Sequence, residues 1–282
     1  MNKQERIKIY QETISLVNNE EYTSKNGIKN VIDNKSIENT KFYTNKVIIN
    51  HTELEKYDTK IQVVNNDCLY EAEKLIERGF YPAVLNMASF YSPGGGVING
   101  SSAQEENIFR RTNLFKSLYQ FHPIGKDYGI EQQKEHYPLN YNYGGIYTPN
   151  VTVFRKSDDA NYELMDNPFK VDIITLAAVK RPKLNNKGEI VPQVKNVIEN
   201  KIRQILDIAI ENKNNALVLS AFGCGAYGTP PEEMAKLFAD VLSSEDYVGA
   251  FKAIHFAIIE TPSTSGEHNP NGNFKPFKKI FG

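Results

Sequence analysis

Tryptophan is absent from this chain of 282 residues, and cysteine occurs only as Cys68 and Cys224. Two distant cysteines without a paired spacing exclude a disulfide framework and a cysteine zinc site, and leave small buried thiols as their expected state. No run of about eighteen apolar residues occurs, so no hydrophobic helical span is expected. The opening Met1-Asn2-Lys3-Gln4-Glu5-Arg6 has no signal-like apolar core, and a cytoplasmic protein is the expectation. A surplus of either charge is missing too: 33 Lys and Arg stand against 34 Asp and Glu, a net charge of -1. That balance argues against a general nucleic-acid or membrane surface and favours a small ligand or a short polymer. His122 and His136 lack the spacing of a metal pair on one helix, so neither a metal nor a cofactor is expected. No repeat with a period of roughly 20 to 50 residues is present.

What the chain does have is enough apolar sequence, 40% of its residues, for a sizeable core. Residues 3 to 19 carry Ile7, Tyr10, Ile14 and Val17 at helical spacing, and residues 20 to 60 are polar and Asn-rich, with a possible edge strand at Val47-Ile48-Ile49. The first 60 residues therefore read as an accessory extension packed on a main domain of residues 61–282. From Ile61 a strand and helix alternation sets in: Ile61–Val64 as strand, Cys68–Arg78 as helix ended by Gly79, and Ala83–Met87 as a short buried strand. A helix is expected from Gln104 to Gln120, strands at Val151–Phe154 and Val171–Leu176, and a long helix at Gln193–Lys213. A strand at Ala216–Ser220, a helix from Pro231 to Leu242 and a strand at Ala253–Ile259 complete the pattern. The basic and aromatic tail, Phe274 to Phe281, reads as a docking segment. Between Gln120 and Asn150 a Tyr- and His-rich connection is either functional or surface packing.

Two stretches are unusual for their backbone. In Pro93-Gly94-Gly95-Gly96-Val97-Ile98-Asn99-Gly100-Ser101-Ser102-Ala103-Gln104-Glu105-Glu106, three glycines and a seven-residue spacer lead to two adjacent carboxylates behind a glutamine. Bare backbone gives nothing to a core and suits the close approach of a ligand or another segment. The same residues also fit a flexible turn followed by first-turn acids that complement a helix dipole. The second stretch, Ala221-Phe222-Gly223-Cys224-Gly225-Ala226-Tyr227-Gly228-Thr229-Pro230-Pro231, joins a strand to a helix with proline in its first turn. Amides in such a loop, with the helix N-terminus behind them, suit a diphosphate without Lys or Arg. The Lys and hydroxyl of the nucleotide triphosphatase phosphate loop are missing. Asn86, at the end of a strand, can bond ribose hydroxyls or cap a turn, and Asp67 stands where a helix N-cap is needed.

Taken together, GGG, a spacer of seven and QEE, preceded by Val84-Leu85-Asn86-Met87-Ala88-Ser89, resemble the signature of the poly(ADP-ribose) glycohydrolases, particularly the compact bacterial type. That resemblance implies a three-layer α/β/α macrodomain with a central mixed sheet, plus an N-terminal, mainly helical extension. It assigns the acid to Glu106, the second Glu of the motif, and the fixing of ribose hydroxyls to Glu105. By the same resemblance Gly94, Gly95 and Gly96 wrap the terminal ribose and diphosphate, with Gln104 and Asn86 beside them. Asp67 reads the adenine amino group, and Gly223, Cys224, Gly225 and Ala226 form the diphosphate loop. Tyr227, or else Phe222, stacks on the far ribose or adenine.

Cleavage at an anomeric carbon needs a proton for the leaving oxygen, and burial beside a negative Glu105 would favour a protonated Glu106. The expected activity is hydrolysis of ribose-ribose bonds in poly(ADP-ribose), by a monomer acting on an ADP-ribose polymer or an ADP-ribosylated macromolecule. A mono-ADP-ribosyl hydrolase and a non-catalytic ADP-ribose-binding module are the alternatives.

Overall fold

The computed structural model describes residues 1–260 and 266–282. The chain begins with α1 (Lys3–Asn19) and the short strands β1 (Glu21–Thr23), β2 (Lys29–Val31) and β3 (Lys41–Tyr43). Then follow β4 (Lys60–Val64), α2 (Cys68–Glu77), β5 (Pro82–Met87), α3 (Gln104–Arg111), α4 (Leu114–Tyr119), β6 (Gly145–Arg155) and β7 (Leu164–Leu176). The remainder is α5 (Pro192–Glu211), β8 (Ala216–Leu219), α6 (Pro231–Leu242), β9 (Ala253–Ala257) and α7 (Phe274–Phe281). β1 and β2 form a separate antiparallel pair, and the other seven strands make one mixed sheet in the order β3-β6-β7-β5-β8-β9-β4. The fold is mixed α/β around that sheet, as expected. The chain divides into two compact units.

The first unit comprises Met1–Phe42, Asn86–Leu139 and Ile146–Thr175. Its opening helix is set by a capping box: Asn2 Oδ1 accepts from the Glu5 amide at 3.0 Å while Glu5 Oε2 accepts from the Asn2 amide at 2.7 Å. The inner side of α1 meets α3 and α4 through polar contacts as well as packing. Tyr10 Oη lies 2.8 Å from Tyr119 Oη, and Thr13 Oγ1 donates to the Arg110 carbonyl at 2.6 Å.

The single helix expected from Gln104 to Gln120 is broken in two. Thr112 is extended (φ −139°, ψ 170°) and pairs with Val153 in an isolated bridge. Asn113 next to it donates to the Asp33 carbonyl at 2.8 Å and accepts from the Thr152 amide at 2.9 Å. Thr and Asn give up helical bonds readily: Thr112 Oγ1 accepts from the nearby Leu114 amide at 3.3 Å, while the Asn113 side chain bonds backbone far off in sequence. β6 and β7 pair antiparallel, with Tyr147 opposite Ile174 and Val151 opposite Val171. Both run longer than the apolar stretches that announced them: β7 begins with a half-exposed segment, Leu164 to Lys170, while β6 extends back through buried Gly145 to Thr148.

The second unit comprises Tyr43–Leu85, Asn140–Gly145 and Leu176–Gly282. Here β4, β9, β8 and β5 are parallel neighbours, with Val63 opposite Phe256, Leu217 opposite Ile254 and Val84 opposite Val218. Asp67 caps α2, its Oδ1 accepting from the Leu69 and Tyr70 amides at 3.0 Å each. Pro192 and Pro231 occupy the first positions of α5 and α6, where the missing N–H costs no helical bond.

The basic and aromatic tail is α7, and it docks on its own unit. Phe277 is buried between Phe238 and Phe256, and Phe281 stacks on Phe256 with ring centroids 4.7 Å apart. Val47-Ile48-Ile49 is not a strand. The Val47 amide donates to the Gln204 side chain at 3.1 Å, its side chain is buried and Ile48 faces out, while Lys41–Tyr43 forms the edge strand.

Candidate active site

In the first unit the first turn of α3 is bonded residue by residue to the end of β5 and the segment that follows it. Gln104 Oε1 accepts from the Met87 amide at 2.8 Å. Glu105 accepts from two amides, Ser89 at 2.8 Å and Gly94 at 2.9 Å. Glu106 Oε1 accepts from the Gly96 amide at 2.9 Å. Three successive side chains thus satisfy amides spread along residues 87 to 96, and the loop is pinned to the helix that bears the acids. The N-cap residue Ala103 has no capping side chain, so the order of this junction comes from those carboxylates and the glutamine.

The glycine triplet is required by the same closeness. A Cβ on Gly95 would lie 2.8 Å from Glu106 Oε1 and 3.1 Å from Glu105 Oε2, and the residue has φ +51°, a region that L side chains rarely adopt. Neighbouring Cβ positions are blocked by Phe109 at Gly94 (2.6 Å) and by Ser101 Oγ at Gly96 (2.3 Å). Both carboxylates therefore close on one point of bare backbone.

Glu105 and Glu106 are buried at 4% and 7% exposure. Burial drives the Glu105 carboxyl up to about 8; the Ser89 and Gly94 amides and Asn86 pull it down, while the charge of Glu106 pushes it further up. A carboxyl raised in the folded state keeps its proton while the unfolded chain has lost it, so its stabilising share is complete below the ordinary carboxylate range and vanishes as pH climbs through about 8. In scanning calorimetry, Glu105→Gln should therefore abolish a fall in stability, on the order of a few kcal/mol, that the unaltered protein undergoes between pH 5 and 8.5. Parallel profiles for the two proteins would contradict a buried, proton-holding Glu105.

Glu106 is bonded at one oxygen only. Its Oε2 is buried and makes no hydrogen bond. Asn86 is fully enclosed, its Nδ2 3.2 Å from Thr175 Oγ1 and its side chain bonded to Glu105, with Oδ1 unpartnered.

Residue order does not single out Arg110, one helical turn beyond the acids and fully buried. Its guanidinium donates to the Ser101 carbonyl and, at 3.2 Å, to the Arg6 carbonyl, so that it joins α1 to the glycine segment. A Cβ on Gly100 would strike the Lys3 carbonyl at 2.4 Å, which places the start of α1 against the same segment. Tyr137 and Tyr147 in the Tyr-rich connection are buried, and Tyr147 donates to Asp172.

The second glycine stretch belongs to the second unit, where its carbonyls and amides are treated differently. The carbonyls of Ala221, Gly223 and Gly225 accept from the amides of Cys224, Thr229 and Gly228, each at 3.0 Å, and that of Tyr227 accepts from the Arg181 amide at 2.7 Å. Among the described residues the amides of Gly225 and Ala226 donate to nothing. Such a loop shows donors outward and acceptors inward, the arrangement that holds an anion. Phe222 and Cys224 have no exposed side chain, and burial raises the Cys224 thiol, so both contribute backbone alone. Tyr227 is half-exposed, with Lys180 Nζ 6.0 Å from its ring centroid. Of the two aromatics, Tyr227 alone has a ring face to offer. A cavity of about 110 Å³ elsewhere in this unit, lined by His51, Arg203, Asp207 and Tyr247 among others, contains none of the expected site residues.

The family model for the microbial-type PARG catalytic domain matches residues 10–156, which takes in the glycine triplet, the paired acids and α1 from Tyr10 on. The chain belongs to that family. As a microbial-type PARG it is a glycoside hydrolase of the poly(ADP-ribose) glycohydrolase class. Solved structures agree over nearly the whole length. The poly(ADP-ribose) glycohydrolase of Thermomonospora curvata bound to the inhibitor ADP-HPD is 27% identical, with a TM-score of 0.79 over 97% of this chain and 98% of that one. The enzyme of Deinococcus radiodurans in complex with ADP-ribose is 26% identical, with a TM-score of 0.67 over 89% and 98%. Among curated proteins no sequence matches this microbial-type PARG significantly. Its central mixed sheet is that of a macrodomain-like fold. Among the described residues, no helix is long and apolar enough to cross a membrane.

Proposed function

We propose that Glu106 is the proton donor and acceptor with which this PARG cleaves ribose-ribose bonds and releases ADP-ribose. The observation that carries the assignment is the contrast between its two oxygens. Oε1 is tethered to the Gly96 amide at 2.9 Å, while Oε2 is buried and unpartnered. An acid held at one oxygen and idle at the other is positioned without being occupied, which is what delivery of a proton to a leaving oxygen requires.

In the forward step the proton of Glu106 goes to the bridging oxygen, the bond from that oxygen to the anomeric carbon breaks, and the electron pair leaves with the new hydroxyl. Positive charge develops on the ribose beside two buried acids. A water then adds to the anomeric carbon, and its proton returns to the Glu106 carboxylate, which restores the starting state. Glu105 anchors the loop through the Ser89 and Gly94 amides.

For the second unit we propose, separately, that the Gly225 and Ala226 amides hold a diphosphate, that Tyr227 stacks on a ring, and that Asp67 reads an exocyclic amine. The capping bonds of Asp67 go to Oδ1 and leave its side chain fixed in direction. We also take the protein to act in the cytoplasm, a reading its two free, buried cysteines support.

The test is incubation of the purified protein with labelled poly(ADP-ribose) and, in parallel, with mono-ADP-ribosylated protein. Free ADP-ribose should appear from the polymer far faster than from the monomer-modified protein. Release from the modified protein alone would refute the polymer assignment.

A further inference from the structure

We infer that His268 is a positioning residue for the diphosphate loop: by holding the Cys224 carbonyl it turns the Gly225 amide toward the ligand. The inference rests on the reading of that loop as a diphosphate site.

His268 Nε2 lies 2.8 Å from the Cys224 carbonyl oxygen. A carbonyl can only accept, so Nε2 carries the hydrogen. The Cys224–Gly225 peptide is trans, and in a trans peptide the C=O and the following N–H point in opposite directions. Fixing the Cys224 oxygen on one side therefore aims the Gly225 N–H at the other. Without that bond little else would fix the plane of this peptide. Gly225 has no side chain, a Cβ added there would meet nothing within 4 Å, and its own amide has no partner among the described residues. A glycine in open space rotates readily.

The other inward-facing carbonyls of this loop are satisfied by backbone amides, at Ala221, Gly223, Gly225 and Tyr227. The Cys224 carbonyl instead accepts from a side chain 44 residues further along the chain.

His268 itself stands on a braced turn. Asn269 beside it is buried, its amide donates to the Gly266 carbonyl at 3.2 Å, and its side chain donates to Asn273 Oδ1 at 2.8 Å. Glu260 Oε2 accepts from the Asn273 and Phe274 amides at 2.8 and 2.6 Å, at the start of α7. α7 is in turn fixed by Phe277 and Phe281 on Phe256. The imidazole thus stands on a turn tied by these bonds to the start of a packed helix. The bond also polarises the peptide, which strengthens the N–H as a donor.

The experiment measures binding of ADP-ribose and of adenosine, which lacks the diphosphate, by titration calorimetry, together with KM and kcat on polymer. His268→Ala should weaken ADP-ribose binding by about tenfold, the scale of one lost hydrogen bond, leave adenosine binding unchanged, and raise KM more than it lowers kcat. His268→Gln, whose amide can donate to the same carbonyl, should restore most of the affinity. Gly225→Val, which adds a side chain in open space, should block the anion and abolish ADP-ribose binding in a folded protein. If His268→Ala leaves ADP-ribose affinity intact while Gly225→Val destroys it, the inference falls and the loop reading stands. If Gly225→Val also binds normally, the loop reading falls. An equal loss for ADP-ribose and adenosine in His268→Ala would reduce the histidine to a general structural role and overturn the inference.

Discussion

Glu106→Gln is expected to lower the rate of ADP-ribose release by a factor of about 10² to 10⁴ while ADP-ribose affinity changes only a few-fold. Glutamine is nearly isosteric and its carbonyl oxygen can still accept from the Gly96 amide, so the 2.9 Å tether and the loop it pins are preserved. What is lost is the capacity to give and retrieve a proton at the second oxygen, the one with no bond in the structure. The substitution also removes a negative charge beside Glu105, which lowers that carboxyl from its raised position. Single-turnover release from labelled polymer, set beside calorimetric titration with ADP-ribose, separates the two effects. A variant that turns over within tenfold of the unaltered protein would take the acid role away from Glu106.

Gly95→Ala should be nearly as damaging to turnover without touching any ionisable group. The added Cβ would sit 2.8 Å from Glu106 Oε1 and 3.1 Å from Glu105 Oε2, at a residue with φ +51°. The left-handed backbone alone costs about 1–2 kcal/mol for a residue with a Cβ. The oxygens cannot retreat cheaply, because each is already bonded, to the amides of Gly96 and Ser89. Either the loop swings out or the acid does, and a displacement of about 1 Å at a reacting group costs on the order of 10² in rate.

Gly129→Ala is the matched control, since it has φ +67° but a Cβ there meets nothing within 4 Å. Both variants should lose a few degrees of Tm through backbone strain. At least a hundredfold loss of turnover should be confined to Gly95→Ala. Equal activities for the two would mean that the triplet serves only as a flexible turn.

Much of this site could be read from residue order. A buried strand, bare backbone and a helix opening on two acids follow one another within some twenty positions, and close sequence proximity is what makes such a pattern visible. The strand at Ala216–Leu219, the second glycine stretch and the proline-started helix after it were legible for the same reason. What escaped depends on partners far away in sequence. The break at Thr112–Asn113 comes from bonds to Asp33, Thr152 and Val153, none of which periodicity can reveal. Val47-Ile48-Ile49 looked like a strand because three β-branched residues stand together, yet the Val47 amide is claimed by Gln204. Arg110 reads as an ordinary helical cation until its carbonyl partners, at Arg6 and Ser101, are known. The raised carboxyl of Glu105 also depends on a burial that residue order does not show.

A grip assembled from peptide groups has a consequence for how this enzyme can drift. The Gly225 and Ala226 amides are present whatever side chain those positions encode, so an alanine scan would pass over the donors themselves and register only bulk, proline or a mis-set plane. On the proposed diphosphate reading, selection can therefore rewrite the outer chemistry of that rim, tuning which chain ends or acceptors are admitted, while the hold on the phosphates persists through every exchange that spares the backbone's course.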